Sequence, residues 1–286
     1  MRIGFIARPE ENEFAWAAEH GFPCVEFNRA PGHVASQREV APDVRAWSKQ
    51  YGVDVSSFGY FGAEYFSGDE AVRKLALDDA ANAVETCAEL GAPVFVLGTG
   101  SRPTRPMPKL GFTKPQPIPI DEACRMAIET LGPVVEKAES LGLKVAFYNC
   151  DWANFCYNES AWGAMLATFP KAGIKFDPSH PFYRGEDYLA QMRDWGHRFW
   201  HTHAKGGMKT LGGERIEDPP AGMDQVDWPS FMALLHRAAY EGDLNIEPHS
   251  TTWNRREGMR RRGILFTQKY LAPFLAEAAR PSGTGA

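Results

Sequence analysis

The 286-residue sequence is short of cysteine, of long apolar runs and of excess basic charge. Its five cysteines, Cys24, Cys87, Cys124, Cys150 and Cys156, are odd in number and irregularly spaced. Without CxxC spacing they do not form a zinc knuckle, and they read as reduced thiols of a cytoplasmic protein. No apolar stretch approaches the ~18 residues that span a bilayer. The N-terminal MRIGFIARPEEN lacks the basic start and long apolar core of a signal peptide. A net charge of −5 with no basic footprint argues against nucleic acid as a partner. The one basic cluster, Arg255, Arg256, Arg260, Arg261 and Arg262, reads as the solvated face of a late helix. Anchoring of an anionic substrate group is its second reading. The first strand–helix turn also lacks a Gly-rich phosphate fingerprint, which weakens the case for a doubly wound sheet.

What is present is regular alternation. Strand-like runs at RIGFIA (2–7), CVEF (24–27), DVSSFGYF (54–61), PVFVLGTG (93–100), LKVAFYNC (143–150), GIKFDPSH (173–180), FWHTHAKG (199–206) and LNIEPHS (244–250) are separated by helical segments. Those helices are expected near 10–20, 41–51, 67–91, 121–141, 160–169, 186–194, 228–240 and 256–278. The SGDE run from Ser67 to Glu70 matches a capping box. Val72, Ala76, Ala80, Ala83, Val84 and Cys87 then fall on one helical face. A Pro-rich loop is expected over 102–120 and a disordered tail over 279–286. Eight strand–helix units imply parallel strands with helical crossovers, and eight closes a single (β/α)8 TIM barrel over residues 1–278.

In such a barrel chemistry sits where strands end. Strand six ends in Asp177 and, three residues on, His180. Strand seven carries His201, His203 and Lys205, and strand eight ends in Glu247, then His249. Strand two offers Glu26, and strand five offers Tyr148, Asn149 and Asp151. Taken singly, a strand histidine is more often a hydrogen-bonded core residue and an Asp-Pro often marks a turn. Acid, imidazole and acid from three successive strand ends instead suit a divalent cation, with positions left for substrate oxygens. His201 and His203 share a face, but residues two apart lie ~6.6 Å apart along a strand. His203 therefore reaches the barrel mouth, and His201 sits one layer deeper. Glu26 reads either as a sugar-hydroxyl partner or as the partner of a neighbouring strand's base. Trp152, Phe155, Phe182, Tyr183, Trp228 and Trp253 could line a sugar-stacking pocket, with plain packing as the alternative.

FDPSH, THAKG, GMDQVDWPSF and NIEPH resemble the xylose isomerase-like TIM-barrel superfamily of sugar (phosphate) isomerases and epimerases, over essentially the whole chain. The resemblance implies metal ligands Asp177, His203 and Glu247, with His180 and Lys205 at substrate oxygens. It implies a divalent metal, Mn²⁺ first and Co²⁺, Mg²⁺, Zn²⁺ or Fe²⁺ as alternatives, and leaves a homo-oligomer open. Relatives end strand five with a Glu, where this chain has Tyr148 in FYNCDW. The surviving chemistry is enolisation of a keto-sugar or related polyol, with Glu247, His180 and His249 as candidate bases and Tyr148, Asn149, Lys205 and Glu26 as substrate contacts. Reprotonation gives an isomerase or epimerase. Expulsion of a β-oxygen gives a lyase or dehydratase on a 3-keto sugar, keto-glycoside or inosose. A non-catalytic sugar-binding barrel is a further reading. A repair endonuclease is disfavoured by the negative charge and by the lack of histidines at the earlier strand ends, since His20 and His33 fall in a helix end and a loop.

Overall fold

The computed structural model describes residues 1–29, 34–105 and 116–275. The expected tail and His33 lie outside the described residues. Eight parallel strands close into a barrel: β1 (Arg2–Ile6), β2 (Cys24–Arg29), β3 (Asp54–Tyr60), β4 (Val94–Leu97), β5 (Lys144–Tyr148), β6 (Gly173–Phe176), β7 (Phe199–Ala204) and β8 (Asp243–Ile246). Each pairs with its sequence neighbours, and β1 pairs with both β2 and β8, so no edge is left. Helices cross over between strands: α1 (Glu11–Glu19), α2 (Val34–Glu39), α3 (Ala41–Tyr51), α4 (Glu70–Leu90), α5 (Ile120–Ser140), α6 (Glu159–Thr168), α7 (Ser179–Arg184), α8 (Tyr188–Trp195), α9 (Trp228–Arg237) and α10 (Glu257–Leu271). None of these helices is long and apolar enough to cross a membrane.

Two-residue alternation divides the strands' side chains. Phe5, Phe27, Phe58, Phe95, Phe147 and Phe176, one from each of β1 to β6, are fully buried in the core between sheet and helices. The opposite parity fills the barrel interior. There Val94, Val96, Ala146, Tyr148 and Cys150 form a separate apolar cluster. Glu26, Ser57, Lys175, His201, His203 and Asn245 are buried polar residues. At Gly4 of β1 an added Cβ would stand 2.3 Å from Asn245 Oδ1, so only glycine fits beneath them.

Local chemistry differs from the expectation at two places. Asp69, not Ser67, caps α4: its carboxylate accepts the Ala71 and Val72 N–H groups, while Ser67 Oγ accepts the Asp69 N–H. Val72, counted on the buried face, is 37% exposed in that first turn. The segment after β6 is two helices, α7 and α8, broken at Gly185 with φ +73° and restarted by an Asp187 cap on Ala190 N–H. His180 therefore rides on α7 at the barrel mouth. All five cysteines are free and buried. In the 102–120 loop, Thr104–Arg105 pairs antiparallel with Gln116–Pro117, and the residues between lie outside the described set. After β7, Met208–Lys209 pairs with Arg215–Glu217 as a short hairpin, and Thr251 and Thr252 bond Glu217 from the loop after β8.

Candidate metal centre and its cavity

A cavity of about 470 Å³ opens at the C-terminal ends of the strands, lined by Tyr148, Lys175, His180, His203, Lys205 and Glu247 among others. Parallel register brings the key groups level: Asn245 pairs with His203, and the Glu247 N–H donates to the Ala204 carbonyl. One ligand atom from each of Asp177, His203 and Glu247 lies within 4.8 Å of the others.

The inner end of the site is set by Glu26. Its buried carboxylate accepts from His201 Nε2 at 2.7 Å, His203 Nε2 at 2.9 Å and Asn245 Nδ2 at 2.9 Å. Burial would raise its pKa, but the two imidazoles hold it well below the usual carboxylate range. An ionised Glu26 fixes the His203 proton on Nε2 and turns Nδ1 toward Asp177 and Glu247. His201 is the deeper of the pair, fully buried against Glu26 and Ser57.

His203 Nδ1 has two neighbours with opposite needs. Glu247 Oε2, which can only accept, stands 2.8 Å away, and the Lys175 ammonium, which can only donate, stands 2.6 Å away. A single ring nitrogen cannot serve both. A lone pair on Nδ1, a carboxylate oxygen on Glu247 and a carboxylate oxygen on Asp177 form a donor set for a divalent cation. Asp177 Oδ2 is fully buried and has no hydrogen-bond partner among the described residues, although Lys205 Nζ faces it at 3.1 Å. These residues fit a metal ion.

Burial opposes every charge here, and neighbours decide the outcome. Asp177 is held far below the usual carboxylate range by the Lys205 and Lys175 ammonium groups acting against burial. Glu247 is likewise low, chiefly through the Lys205 ammonium. Lys205 is raised by Asp177 and Glu247 and stays an ammonium. Burial lowers Lys175 to about 8, with Asp177, Glu247 and Glu26 opposing. Burial and Lys205 hold His180 neutral. Lys205 Nζ lies 3.2 Å from His180 Nε2, so that nitrogen is the unprotonated one, and Tyr148 Oη reaches it at the same distance. Tyr148 itself is pushed well above the usual phenol range by burial and by Glu247, and keeps its proton.

The structure thus brings His203, Glu247, Lys205, His180, Tyr148 and Glu26 to one cavity, with Asp177 fully buried behind them and within ligand distance of His203 and Glu247. It does not bring Asn149 there. The Asn149 amide is spent on the Asp177 backbone, donating to its carbonyl and accepting its N–H, both at 2.9 Å, because buried amides must be paired. His249 sits at the rim, its side chain 54% exposed and its Nδ1 2.8 Å from Asp218 Oδ2. Sequence reasoning missed Lys175, Asp218 and Arg215. The signal for Lys175 was alternation in IKFD, which puts residues 175 and 177 on the same face of β6. Arg215 opens the second arm of the hairpin after β7 and Asp218 follows its end, and the two side chains bond each other. Of the candidate stacking aromatics, Trp152 stands exposed at the mouth, whereas Trp228 and Phe155 are buried in the core.

Comparison with known proteins agrees with the barrel fold. A curated relative, an uncharacterized protein YfiH of Bacillus subtilis (strain 168), is 26% identical over 159 residues, 47% of this chain and 50% of that protein. The match thus spans about half the length of that relative. The 3-keto-D-glucoside 4-epimerase YcjR from E. coli superposes with a TM-score of 0.72 at 16% identity, covering 94% of this chain and 99% of its own. An IolI protein with a bound zinc atom superposes with a TM-score of 0.70 at 14% identity, covering 96% and 98%. At these identities the likeness is one of fold. The family model described as xylose isomerase-like TIM barrel matches residues 14–270, nearly the whole chain. The chain belongs to the xylose isomerase-like TIM-barrel family.

Proposed function

We propose that this protein is a divalent-metal-dependent isomerase or epimerase of a keto-sugar or related polyol, working by enolisation. The observation that carries the reading is the cluster of Asp177, His203 and Glu247 ligand atoms within 4.8 Å of one another, with Glu26 holding the Nε2 side of His203. Asp177 Oδ2, His203 Nδ1 and a Glu247 oxygen would hold the ion, and a mixed oxygen–nitrogen set favours Mn²⁺ while accepting Co²⁺, Mg²⁺, Zn²⁺ or Fe²⁺. When bound, such an ion polarises a carbonyl and offsets the charge of an enediolate. Lys205, a fixed ammonium at the cavity wall, binds a substrate oxygen and stabilises negative charge developing there. His180, neutral and with its Nε2 lone pair facing Lys205 and Tyr148, is placed to take the α-proton, with Glu247 as the other candidate base. Glu26 works from beneath, by orienting His203. The similarity to a sugar epimerase and to a zinc-holding protein of the same fold supports this reading. A small-molecule substrate suits the cavity, and buried free thiols suit a cytoplasmic setting.

One observation favours a second outcome of the same chemistry. Among the described residues, β4 and β5 themselves offer the cavity no carboxylate and Tyr148 is their polar group, while Asp151 lines it from the loop after β5. A protonated phenol beside His180 suits donation to a departing oxygen, as a lyase or dehydratase acting on a 3-keto sugar, keto-glycoside or inosose requires.

Incubation with ketoses, inososes and 3-keto glycosides plus Mn²⁺ in D2O tests both. Deuterium should enter the carbon next to the carbonyl, and a new ultraviolet-absorbing enone would mark the lyase branch. No exchange with any member of the panel counts against enolisation.

A further inference from the structure

Lys175 is the charged group of the barrel interior that neither the metal set nor the proton-transfer residues use. Its side chain is 1% exposed, so water does not solvate it. Its ammonium instead lies 3.7 Å over the Tyr148 ring centroid, 2.6 Å from His203 Nδ1 and 4.0 Å from Asp177 Oδ2. A cation–π face, a nitrogen lone pair and a carboxylate thus surround one tethered cation. The same Nδ1 and the same Asp177 oxygen belong to the donor set for a metal ion.

In the neutral ring that a metal ligand requires, with Nε2–H committed to Glu26, Nδ1 has one lone pair. It can accept from the Lys175 ammonium or ligate a metal, and it cannot do both. An ion seated beside an undisplaced ammonium would also place two cations against each other in a dry site, where their repulsion is little screened. Tyr148 and Lys175 both line the cavity, so a displaced lysine side chain has space to swing into.

We infer that Lys175 is a built-in competitor for the metal position: a divalent cation binds this chain by displacing the Lys175 ammonium from His203. The inference rests on the reading of Asp177, His203 and Glu247 as the ligand set. It gives Tyr148 a role as well, because a glutamate at that place would pair with Lys175, whereas the aromatic ring holds the ammonium without neutralising it. The metal-free protein is then folded and internally charge-compensated, and its metal affinity is set by how readily one side chain moves.

Isothermal titration of the chelator-treated full-length protein with MnCl2 tests this without any substrate. Lys175→Met keeps the stem packed on Tyr148 and removes the charge, and should bind Mn²⁺ about tenfold tighter or better than the wild type. Asp177→Asn should abolish binding in both backgrounds. A measurement on the unaltered protein covers the case in which Lys175→Met does not fold. Lys175 should resist acetylation by acetic anhydride in the metal-free form and become reactive when Mn²⁺ is added, read by peptide mass spectrometry. Equal affinities for the wild type and Lys175→Met, or Lys175 reactivity unchanged by Mn²⁺, would overturn the competitor role and leave the metal reading standing. No Mn²⁺ binding by either protein would sink both.

Discussion

The two halves of the barrel interior are built from the same strand geometry and hold opposite chemistry. The half walled by β4 and β5 is filled by Val94, Val96, Ala146 and the Tyr148 ring. The half walled by β6, β7, β8 and β2 holds Lys175, Asp177, His201, His203, Asn245, Glu247 and Glu26. Both are dry. The polar half survives burial because nearly every group is matched: Glu26 by two imidazoles and an amide, Asp177 by Lys205 and its own loop, His180 by Lys205 and Tyr148. The apolar half needs no such matching and offers none. The contrast teaches that the barrel interior keeps its buried ionic groups to one side; under the proposed function a proton would be taken and returned from that side or handed on through the Tyr148 hydroxyl.

That division can be broken from either side. The largest effect is expected from Asp177→Asn, which removes a ligand oxygen of the polar half and should lower Mn²⁺-dependent deuterium exchange by about a thousandfold. Exchange measured by proton NMR at saturating substrate checks it. Val96→Asp places an unmatched carboxylate in the apolar half and should destabilise the fold by about 3 kcal/mol, read from the denaturant midpoint. A tolerated Val96→Asp would mean that the two halves are not electrostatically distinct. Glu26→Gln keeps shape but loosens the His203 tautomer, and should weaken Mn²⁺ binding by about 10–100-fold in titration calorimetry while leaving the fold intact.

The smallest effect concerns the rim. Glu217 is lowered to about 2: burial, which would raise it, is outweighed by the hydroxyls of Thr252 and Thr251 and by backbone N–H groups. A carboxyl depressed from 4.5 stabilises the folded state above its unfolded value, and that contribution fades as pH falls from about 4.5 toward 2. The drop in melting temperature between pH 6 and pH 3 should be slightly smaller in Glu217→Gln, since the residue is largely solvated.

Much of this division can be read in the sequence, and what cannot has physical causes. Strand runs and their spacing specify the closed barrel because period-two and helical patterns alternate eight times. Strand-end position singles out Asp177, His203 and Glu247, and two-residue spacing separates His203 from the deeper His201. Lys175 escapes because a lysine in a strand reads as solvent-facing unless its parity with Asp177 is followed inward. Asn149 escapes because a buried amide serves the backbone beside it as readily as a ligand, and only the register of β5 against β6 decides. The Ser67 capping box gives way to Asp69, whose carboxylate lies two residues nearer the first free N–H groups. His249 belongs to the rim because it comes after the strand has ended, where alternation no longer aims side chains. Asp218 and Arg215 depend on a loop hairpin that periodicity does not reveal.

The most direct test of the central claim is a crystal of the chelator-treated protein soaked in MnCl2 and measured at a wavelength where manganese scatters anomalously. The account predicts one strong peak about 2.1–2.3 Å from Asp177 Oδ2, His203 Nδ1 and a Glu247 oxygen, with the Lys175 side chain moved away from His203. A peak lodged instead among Cys150, Asp151 and His180, or no peak in the polar half at millimolar Mn²⁺, would contradict it.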